Sequence, residues 1–265
     1  MNYTVANPTK IGCYTQSRNL KTLSAAKSAL GADVIVNFQL FDMGTYKHAL
    51  ALKVDGQVLT TDPSPYWGYA WNNNDTKLTL VRATEGMQRY DNFAGSVLVC
   101  KDGKPITNPE YGVLFPYTRG RTCIGRKANG DIVIYCWPDG SAGACTIGQL
   151  GAKMVALGCV DAINYDGGGS CQIICPDGKV YSSRYVASML WFKLPQTDAA
   201  PAPSQSSANP TVVEGKEAVL EEGYRLLFYG KMKVDRGTWA KQHGLTPYEF
   251  QSYINKRWPN APKRI

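Results

Sequence analysis

The chain has 265 residues, of which 44% are hydrophobic and 19% charged, and its net charge is +8. These values exclude a collagen-like repeat and wholesale disorder, and no apolar run reaches the roughly 18 residues of a membrane span. A basic segment followed by an apolar one is missing at the start, so we expect no secretory signal, and a cytoplasmic or phage-associated protein. The positive charge favours anionic partners such as phosphate, nucleic acid or acidic glycans.

The first half of the chain is predicted to consist mostly of strands. One helix is expected over residues 19–30, capped by Ser17 or Asn19, because apolar side chains recur there at helical spacing. Apolar and alternating runs predict strands at residues 33–38, 48–54, 77–81, 96–100 and 132–136.

A second helix is expected over residues 146–157, with Thr146 as its N-cap and Gly158 as its stop. A short strand, residues 160–164, follows directly. Many strands with few helices predict an α+β class, as a strand-rich single catalytic domain.

Eight cysteines lie before residue 194: Cys13, Cys100, Cys123, Cys136, Cys145, Cys159, Cys171 and Cys175. Without an export signal, buried reduced thiols are favoured over disulfides. The three-residue spacing between Cys171 and Cys175 is not that of a zinc knuckle, and no calcium-loop signature is present. We therefore expect no cofactor, although a bound divalent cation such as calcium stays open.

A linker divides the chain. Residues 195–211, PQTDAAPAPSQSSANPT, contain four prolines among Ala, Ser and Gln. The predicted domains are thus a catalytic body over residues 1–194 and a small helical C-terminal module over residues 212–265. A helix–glycine–helix spacing around Gly244 resembles a helix-turn-helix, which would contact DNA. A module for oligomerisation, docking or substrate capture is the favoured alternative.

The strongest single feature is Asp166-Gly167-Gly168-Gly169-Ser170, which follows a strand. Three glycines let the backbone turn sharply and bring N–H groups close to an anion, with the Ser170 hydroxyl as a further donor. No Gly-Lys-Ser/Thr follows, so the segment is not a P-loop. A glycine-rich hairpin is the alternative interpretation.

The body also resembles the phosphodiester glycosidase family, in an uncovering-enzyme-like form that removes N-acetylglucosamine from sugar-1-phosphodiesters. The similarity runs in order through Asn37-Phe38-Gln39-Leu40-Phe41-Asp42, residues 94–104, Arg121-Thr122-Cys123-Ile124-Gly125, Asp139-Gly140-Ser141, and the stretch from Gly158 to Ser170. Gln39 and Leu40 depart from the family's usual Gly and Phe. The tail lies outside the resemblance.

The resemblance implies hydrolysis of the glycosidic C–O bond of a sugar-1-phosphodiester to a free sugar and a phosphomonoester. A phosphate leaving group is a weak base, so a cation and a carboxylate matter more than a strong general acid. Asp166 is predicted to be the carboxylate at the anomeric carbon. Arg121 is predicted to clamp the phosphate, with help from the Gly167, Gly168 and Gly169 amides and from Ser170.

Two further carboxylates, Asp42 and Asp139, compete for the second role, as base or as binder of sugar hydroxyls. Asn37 and Thr122 are predicted to be polar sugar contacts. The expected partner is a small or polymeric sugar-phosphate substrate, such as a nucleotide sugar or a wall polymer. The alternatives are a catalytically silent binder of a phosphorylated glycan or nucleotide, and a nucleic-acid-binding protein that uses its C-terminal helices.

Overall fold

The computed structural model describes residues 1–61, 66–106, 117–195, 236–242, 245 and 250. In chain order its strands are β1 (Asn2–Val5), β2 (Lys10–Thr15), β3 (Val34–Asn37), β4 (Leu52–Val54), β5 (Gln57–Thr60), β6 (Trp67–Trp71), β7 (Thr79–Arg82), β8 (Asn92–Lys101), β9 (Lys104–Pro105), β10 (Arg121–Lys127), β11 (Ile132–Trp137), β12 (Cys159–Asn164), β13 (Ile173–Cys175), β14 (Gly178–Val180) and β15 (Ser188–Lys193). The helices of the same region are α1 (Leu23–Leu30), α2 (Ala83–Arg89) and α3 (Ile147–Ala156).

These strands form two antiparallel sheets. The ten-stranded sheet has the order β1-β11-β10-β12-β8-β4-β5, and β8 also pairs with β6 and β9, while β7 pairs with β6. The five-stranded sheet has the order β14-β13-β3-β15-β2. The α+β prediction is confirmed: strands dominate and helices are few.

The main core lies between the two sheets. Ile124 and Ile134 of the larger sheet belong to the same buried cluster as Val36 and Leu190 of the smaller one. Strand residues alternate between the two faces of a sheet, so each sheet also presents a second apolar face. Helix α3 covers that face of the larger sheet, and α1 covers that of the smaller sheet.

Both predicted helices form, but the first is shorter than predicted. Helix α1 begins at Leu23, and the hydroxyl of Thr22 accepts a hydrogen bond from Ala25 N, so Thr22 is the cap rather than Ser17 or Asn19. Asn19 has a φ of 50°, which is incompatible with a right-handed helix. The second prediction is confirmed: Thr146 caps α3 through a capping box with Gln149.

The strand predicted over residues 48–54 is also shorter. It covers only Leu52–Val54, and His48 instead makes an isolated bridge with Phe41. All eight cysteines are free, and seven of them are buried, in agreement with the prediction of buried reduced thiols.

The chain divides into two compact units, Met1–Asp198 and Ala199–Ile265. In the second, α4 (Arg236–Gln242) is a helix. The linker over residues 196–211 and most of the C-terminal module, including Gly244, lie outside the described residues, so the domain boundaries and the helix-turn-helix stay predictions. Among the described residues, no helix is long and apolar enough to cross a membrane.

Candidate active site

One edge of the two sheets collects most of the predicted site residues. Antiparallel pairing sets Arg121, at the start of β10, opposite Trp137, at the end of β11. The same strand pairs Cys123 with Asn164, at the end of β12. The segments that follow β11 and β12, which carry Asp139 and Asp166, therefore leave the larger sheet at this edge.

The glycine turn is held against the loop before β10. Gly168 has a φ of 58° and begins a short 3-10 turn, Gly168–Ser170. Its N–H donates to Gly120 O at 2.9 Å, and a Cβ on Gly167 would collide with that same carbonyl. Only glycine permits this close approach of two backbones. The three glycines thus serve the packing of the turn as well as its curvature.

Two of the three predicted phosphate-binding amides already have protein acceptors. Gly167 N donates to the Asp166 Oδ1 at 2.8 Å, and Gly168 N to Gly120 O. Ser170 N likewise donates to Gly167 O. Within the described part of the chain, Gly169 N is the amide of the turn for which no acceptor is seen.

Asp166 combines burial with an unsatisfied oxygen. Its Oδ2 is buried and has no hydrogen-bond partner among the described residues. Burial raises the pKa of Asp166 to about 6, although the nearby Ser170 hydroxyl, the Gly167 N–H and the Arg184 charge each favour the ionised form. Buried polar atoms without partners are rare in proteins and concentrate at functional sites.

Arg184, which sequence reasoning missed, is a cation in contact with this turn. Its Nη1 donates to the Ser170 Oγ at 3.2 Å. A Cβ on Gly169 would lie 2.8 Å from its Nη2. The side chain is exposed, and its backbone is fixed because Arg184 O accepts from Gln172 Nε2 at 2.9 Å. No sequence pattern marks Arg184, which lies 14 residues after Ser170 in a polar loop.

Asp139 reaches the same turn from β11. Its Oδ1 accepts from Gly120 N at 2.6 Å, and its Oδ2 would lie 3.5 Å from a Cβ on Gly168. Arg119 lies 3.7 Å from that Oδ2, and the two side chains are 63% and 41% exposed. The structure thus brings together two of the three predicted carboxylates, Asp166 and Asp139, and adds a solvent-accessible cation, Arg119.

Asn37 and Thr122 lie beneath the turn, with 0% of either residue exposed. Thr122 Oγ1 and Gln172 N donate to Asn37 Oδ1 at 2.8 and 3.0 Å. Asn37 Nδ2 donates to Asp166 O at 3.1 Å. This network joins both sheets to the turn. The sugar contacts predicted for Asn37 and Thr122 stay a prediction. In this structure the polar atoms of both side chains hydrogen-bond to other protein groups.

Arg121 is 4% exposed. Its Nε donates to Cys145 O and its Nη2 to Tyr117 O, both at 2.9 Å. Burial lowers the pKa of this guanidinium. The role of Arg121 as a phosphate clamp stays a prediction. Its described hydrogen bonds connect β10 to the backbone at Tyr117 and Cys145.

Asp42 caps its own loop. Its Oδ1 accepts from Gly44 N, Thr45 N and the Thr45 hydroxyl. These hydrogen bonds, led by that of the hydroxyl, lower the pKa of Asp42. The described contacts of Asp42 lie within residues 42–47, so the structure does not join it to Asp166.

No group of three or more potential metal-ligating side chains converges anywhere in the described ranges. The site brings together two carboxylates, two exposed arginines and a glycine turn. This arrangement can hold an oxyanion beside a carboxylate whose pKa is raised.

Comparisons with known proteins agree with this architecture. The catalytic domain of zebrafish N-acetylglucosamine-1-phosphodiester alpha-N-acetylglucosaminidase, auto-inhibited by its pro-peptide, superposes with a TM-score of 0.57 at 13% identity, over 69% of this chain and 73% of that chain. A hypothetical protein from Synechocystis superposes with a TM-score of 0.58 at 12% identity, over 72% of this chain and 58% of that chain. These identities show a shared fold alone.

Among curated proteins, none matches the chain significantly. The family model for phosphodiester glycosidases matches residues 30–193, which is more than half of the chain and includes every residue of the site described above. The chain therefore belongs to the phosphodiester glycosidase family.

Proposed function

We propose that the chain hydrolyses the glycosidic C–O bond of a sugar-1-phosphodiester, such as an N-acetylglucosamine-1-phosphodiester, a nucleotide sugar or a wall polymer. The observation that carries this proposal is the buried Oδ2 of Asp166, which has no hydrogen-bond partner among the described residues and lies beside a turn that Arg184 overlies. A carboxylate held in this way is available to an electron-poor carbon.

The substrate phosphate is assigned to Arg184 and the Gly169 amide. Arg184 is exposed, and its guanidinium matches two phosphate oxygens. Arg119 adds positive charge next to Asp139. This assignment differs from the sequence-based role of Arg121, because the buried Arg121 donates to the Cys145 and Tyr117 carbonyls.

In the proposed reaction, the bond between the anomeric carbon and the phosphate oxygen breaks, and its electron pair stays on the phosphomonoester. Arg184 neutralises the growing charge of that leaving group. Ionised Asp166 stabilises the positive anomeric carbon, or takes the proton of the attacking water, whose oxygen ends in the sugar. Asp139 is assigned to the sugar hydroxyls.

Hydrolysis in ¹⁸O-water tests this proposal. The substrates are UDP-N-acetylglucosamine and a methyl diester of N-acetylglucosamine-1-phosphate. The test variant is Asp166→Asn, and the matched control is Asp177→Asn, an exposed aspartate in the turn between β13 and β14. Label in the sugar, its loss in Asp166→Asn and its retention in the control are expected.

Label in the phosphate would instead indicate a phosphodiesterase. Binding of the diester by the wild-type chain without turnover would favour a silent binding protein. Either result would overturn the proposed reaction.

A further inference from the structure

A groove whose lining contains none of the candidate active-site residues has no part in the proposed reaction. It is lined by the end of β2 and the residues after it, by the loop over residues 46–48, and by the end of β5. Its lining includes two aromatic rings, Tyr14 and Tyr46, and two basic side chains, Arg18 and Lys47.

The groove and the Asp166 turn lie at the same strand ends of the smaller sheet, where β2 and β3 finish and β15 begins. Strand β15 lies between β2 and β3, and its residues Ser188 and Met189 pair with Thr15 and Asn37. Two interstrand spacings, about 10 Å, therefore separate the backbone of Thr15, in the groove wall, from that of Asn37. Asn37 in turn binds the carbonyl of Asp166.

The near wall of the groove is also tied to the Arg184 loop. Gln16, which lines the groove, donates from Nε2 to Val186 O at 2.8 Å. Val186 follows Arg184 by two residues, so about 7 Å of extended backbone separates them. Arg184 and the groove are therefore close enough in the fold for one chain-like ligand to contact both.

The groove carries positive charge. Arg18 and Lys47 are exposed, and neither forms a salt bridge with any residue in the described ranges. The Lys47 charge contributes to lowering the pKa of Asp42. The Oδ1 of that carboxylate accepts hydrogen bonds from Gly44 N and Thr45 N. Such cations attract a phosphate.

The groove also offers groups that suit a sugar. His48 lines it, and the Nδ1 of this histidine is buried without a partner in the part of the chain that the structure describes. Burial lowers the pKa of His48 to about 4, so at pH 7 the imidazole is neutral and gives the groove an uncharged ring rather than a third positive charge. Tyrosine rings provide flat apolar surface for the C–H face of a pyranose.

We propose that this groove binds the next sugar and phosphate of a polymeric substrate, so that the preferred substrate is a phosphodiester-linked saccharide chain rather than an isolated diester. The inference rests on the proposed function. Arg18 and Lys47 bind the second phosphate, and His48 with the tyrosines binds the adjoining sugar.

The test compares one-unit and three-unit phosphodiester-linked N-acetylglucosamine oligomers as substrates of the full chain. The groove variant is Arg18→Gln/Lys47→Gln. The control, Lys104→Gln/Lys179→Gln, removes the same charge from two exposed lysines, of which Lys179 lies on β14 at the opposite edge of the smaller sheet. We expect kcat/KM for the trimer to fall about tenfold in the groove variant alone, with the one-unit substrate unchanged within twofold.

An equal loss on both substrates, or no loss on the trimer, would overturn the groove assignment. If the wild type hydrolyses neither oligomer, the proposed function fails, and the groove is then tested by calorimetric titration of Asp166→Asn with the trimer. The expected result is that the triple variant Arg18→Gln/Lys47→Gln/Asp166→Asn binds the trimer more weakly than Asp166→Asn does. Equal affinity for an oligodeoxynucleotide with the same number of phosphates would assign the groove to a nucleic acid instead.

Discussion

The guanidinium of Arg184 lies against Gly169, where a Cβ would come within 2.8 Å of Nη2 and 3.0 Å of Cζ. This contact joins two loops that follow different strands, and it places an exposed cation at the turn that begins with Asp166. The absence of a side chain at residue 169 is therefore as much a part of the site as the arginine itself.

The first prediction concerns two neighbouring glycines. Gly169→Ala should displace only the flexible end of Arg184, so the free energy of unfolding should change by less than about 0.5 kcal/mol while kcat/KM falls several-fold. Gly167→Ala should destabilise the protein by about 2 kcal/mol or more, because its Cβ meets the Gly120 carbonyl, which is backbone. Urea unfolding and kinetics on each variant check this. Equal stability losses would contradict it.

Asp166 should link activity to stability through pH. Its carboxyl pKa is about 6 in the folded chain, against an ordinary value of 3.8 for an exposed aspartate. The folded state therefore binds more protons between these values, and the free energy of unfolding falls as pH rises from about 4 to about 6. Asp166→Asn should thus be more stable than the wild type by about 3 kcal/mol at pH 7.5 and nearly equal to it at pH 4.

The activity of the wild type should rise through pH 6 as Asp166 ionises. Thermal unfolding at several pH values and a profile of kcat/KM test both statements. A stability difference independent of pH, or an activity that falls through pH 6, would show that Asp166 does not have this role.

Thr122→Val should separate a positioning role from a sugar contact. The variant removes the Thr122 hydroxyl donor from Asn37 Oδ1 and leaves Gln172 N and, at 4.0 Å, the Cys136 thiol. We expect a loss of about 1 to 2 kcal/mol in unfolding free energy and a lower kcat with KM unchanged within twofold. Thr122→Ser keeps the hydroxyl and should restore kcat. A raised KM with normal kcat would instead support the sugar contact predicted from the sequence.

Arg121→Gln should act mainly on stability. The substitution leaves the Cys145 and Tyr117 carbonyls without their charged donor, and we expect a loss of about 2 to 4 kcal/mol. Arg184→Gln should leave stability nearly unchanged, because its side chain is exposed, and should lower kcat/KM. The reverse pattern, with Arg121→Gln stable but inactive, would restore Arg121 as the phosphate clamp.

Several elements of the fold follow from local sequence alone. As predicted, α3 begins after the Thr146 capping box and ends before Gly158, because capping depends on residues within one helical turn. The predicted start of α1 was wrong, because Thr22 and Ser17 are equally good caps when only the local sequence is considered. The choice between them follows from Asn19, whose φ of 50° interrupts any earlier helix.

Part of the site was also predictable. The Asp-Gly-Gly-Gly-Ser turn is contiguous in sequence, and the structure places Asp139 beside it as one of two candidate second carboxylates. The other candidate, Asp42, has its described contacts within its own loop. Sequence alone could not separate the two, because each aspartate suits a turn and only strand order decides which turn meets Asp166.

The sequence by itself determined the α+β class, the caps of α3 and the glycine turn, since these depend on short-range sterics and hydrogen bonding. Only the tertiary structure decided which arginine is exposed at that turn. The sequence around each arginine does not say which one is exposed at the turn: antiparallel pairing buries Arg121 at the start of β10 and leaves Arg184 in a loop over Gly169. Burial and long-range contact arise from how the sheets pack together, and no local pattern encodes them.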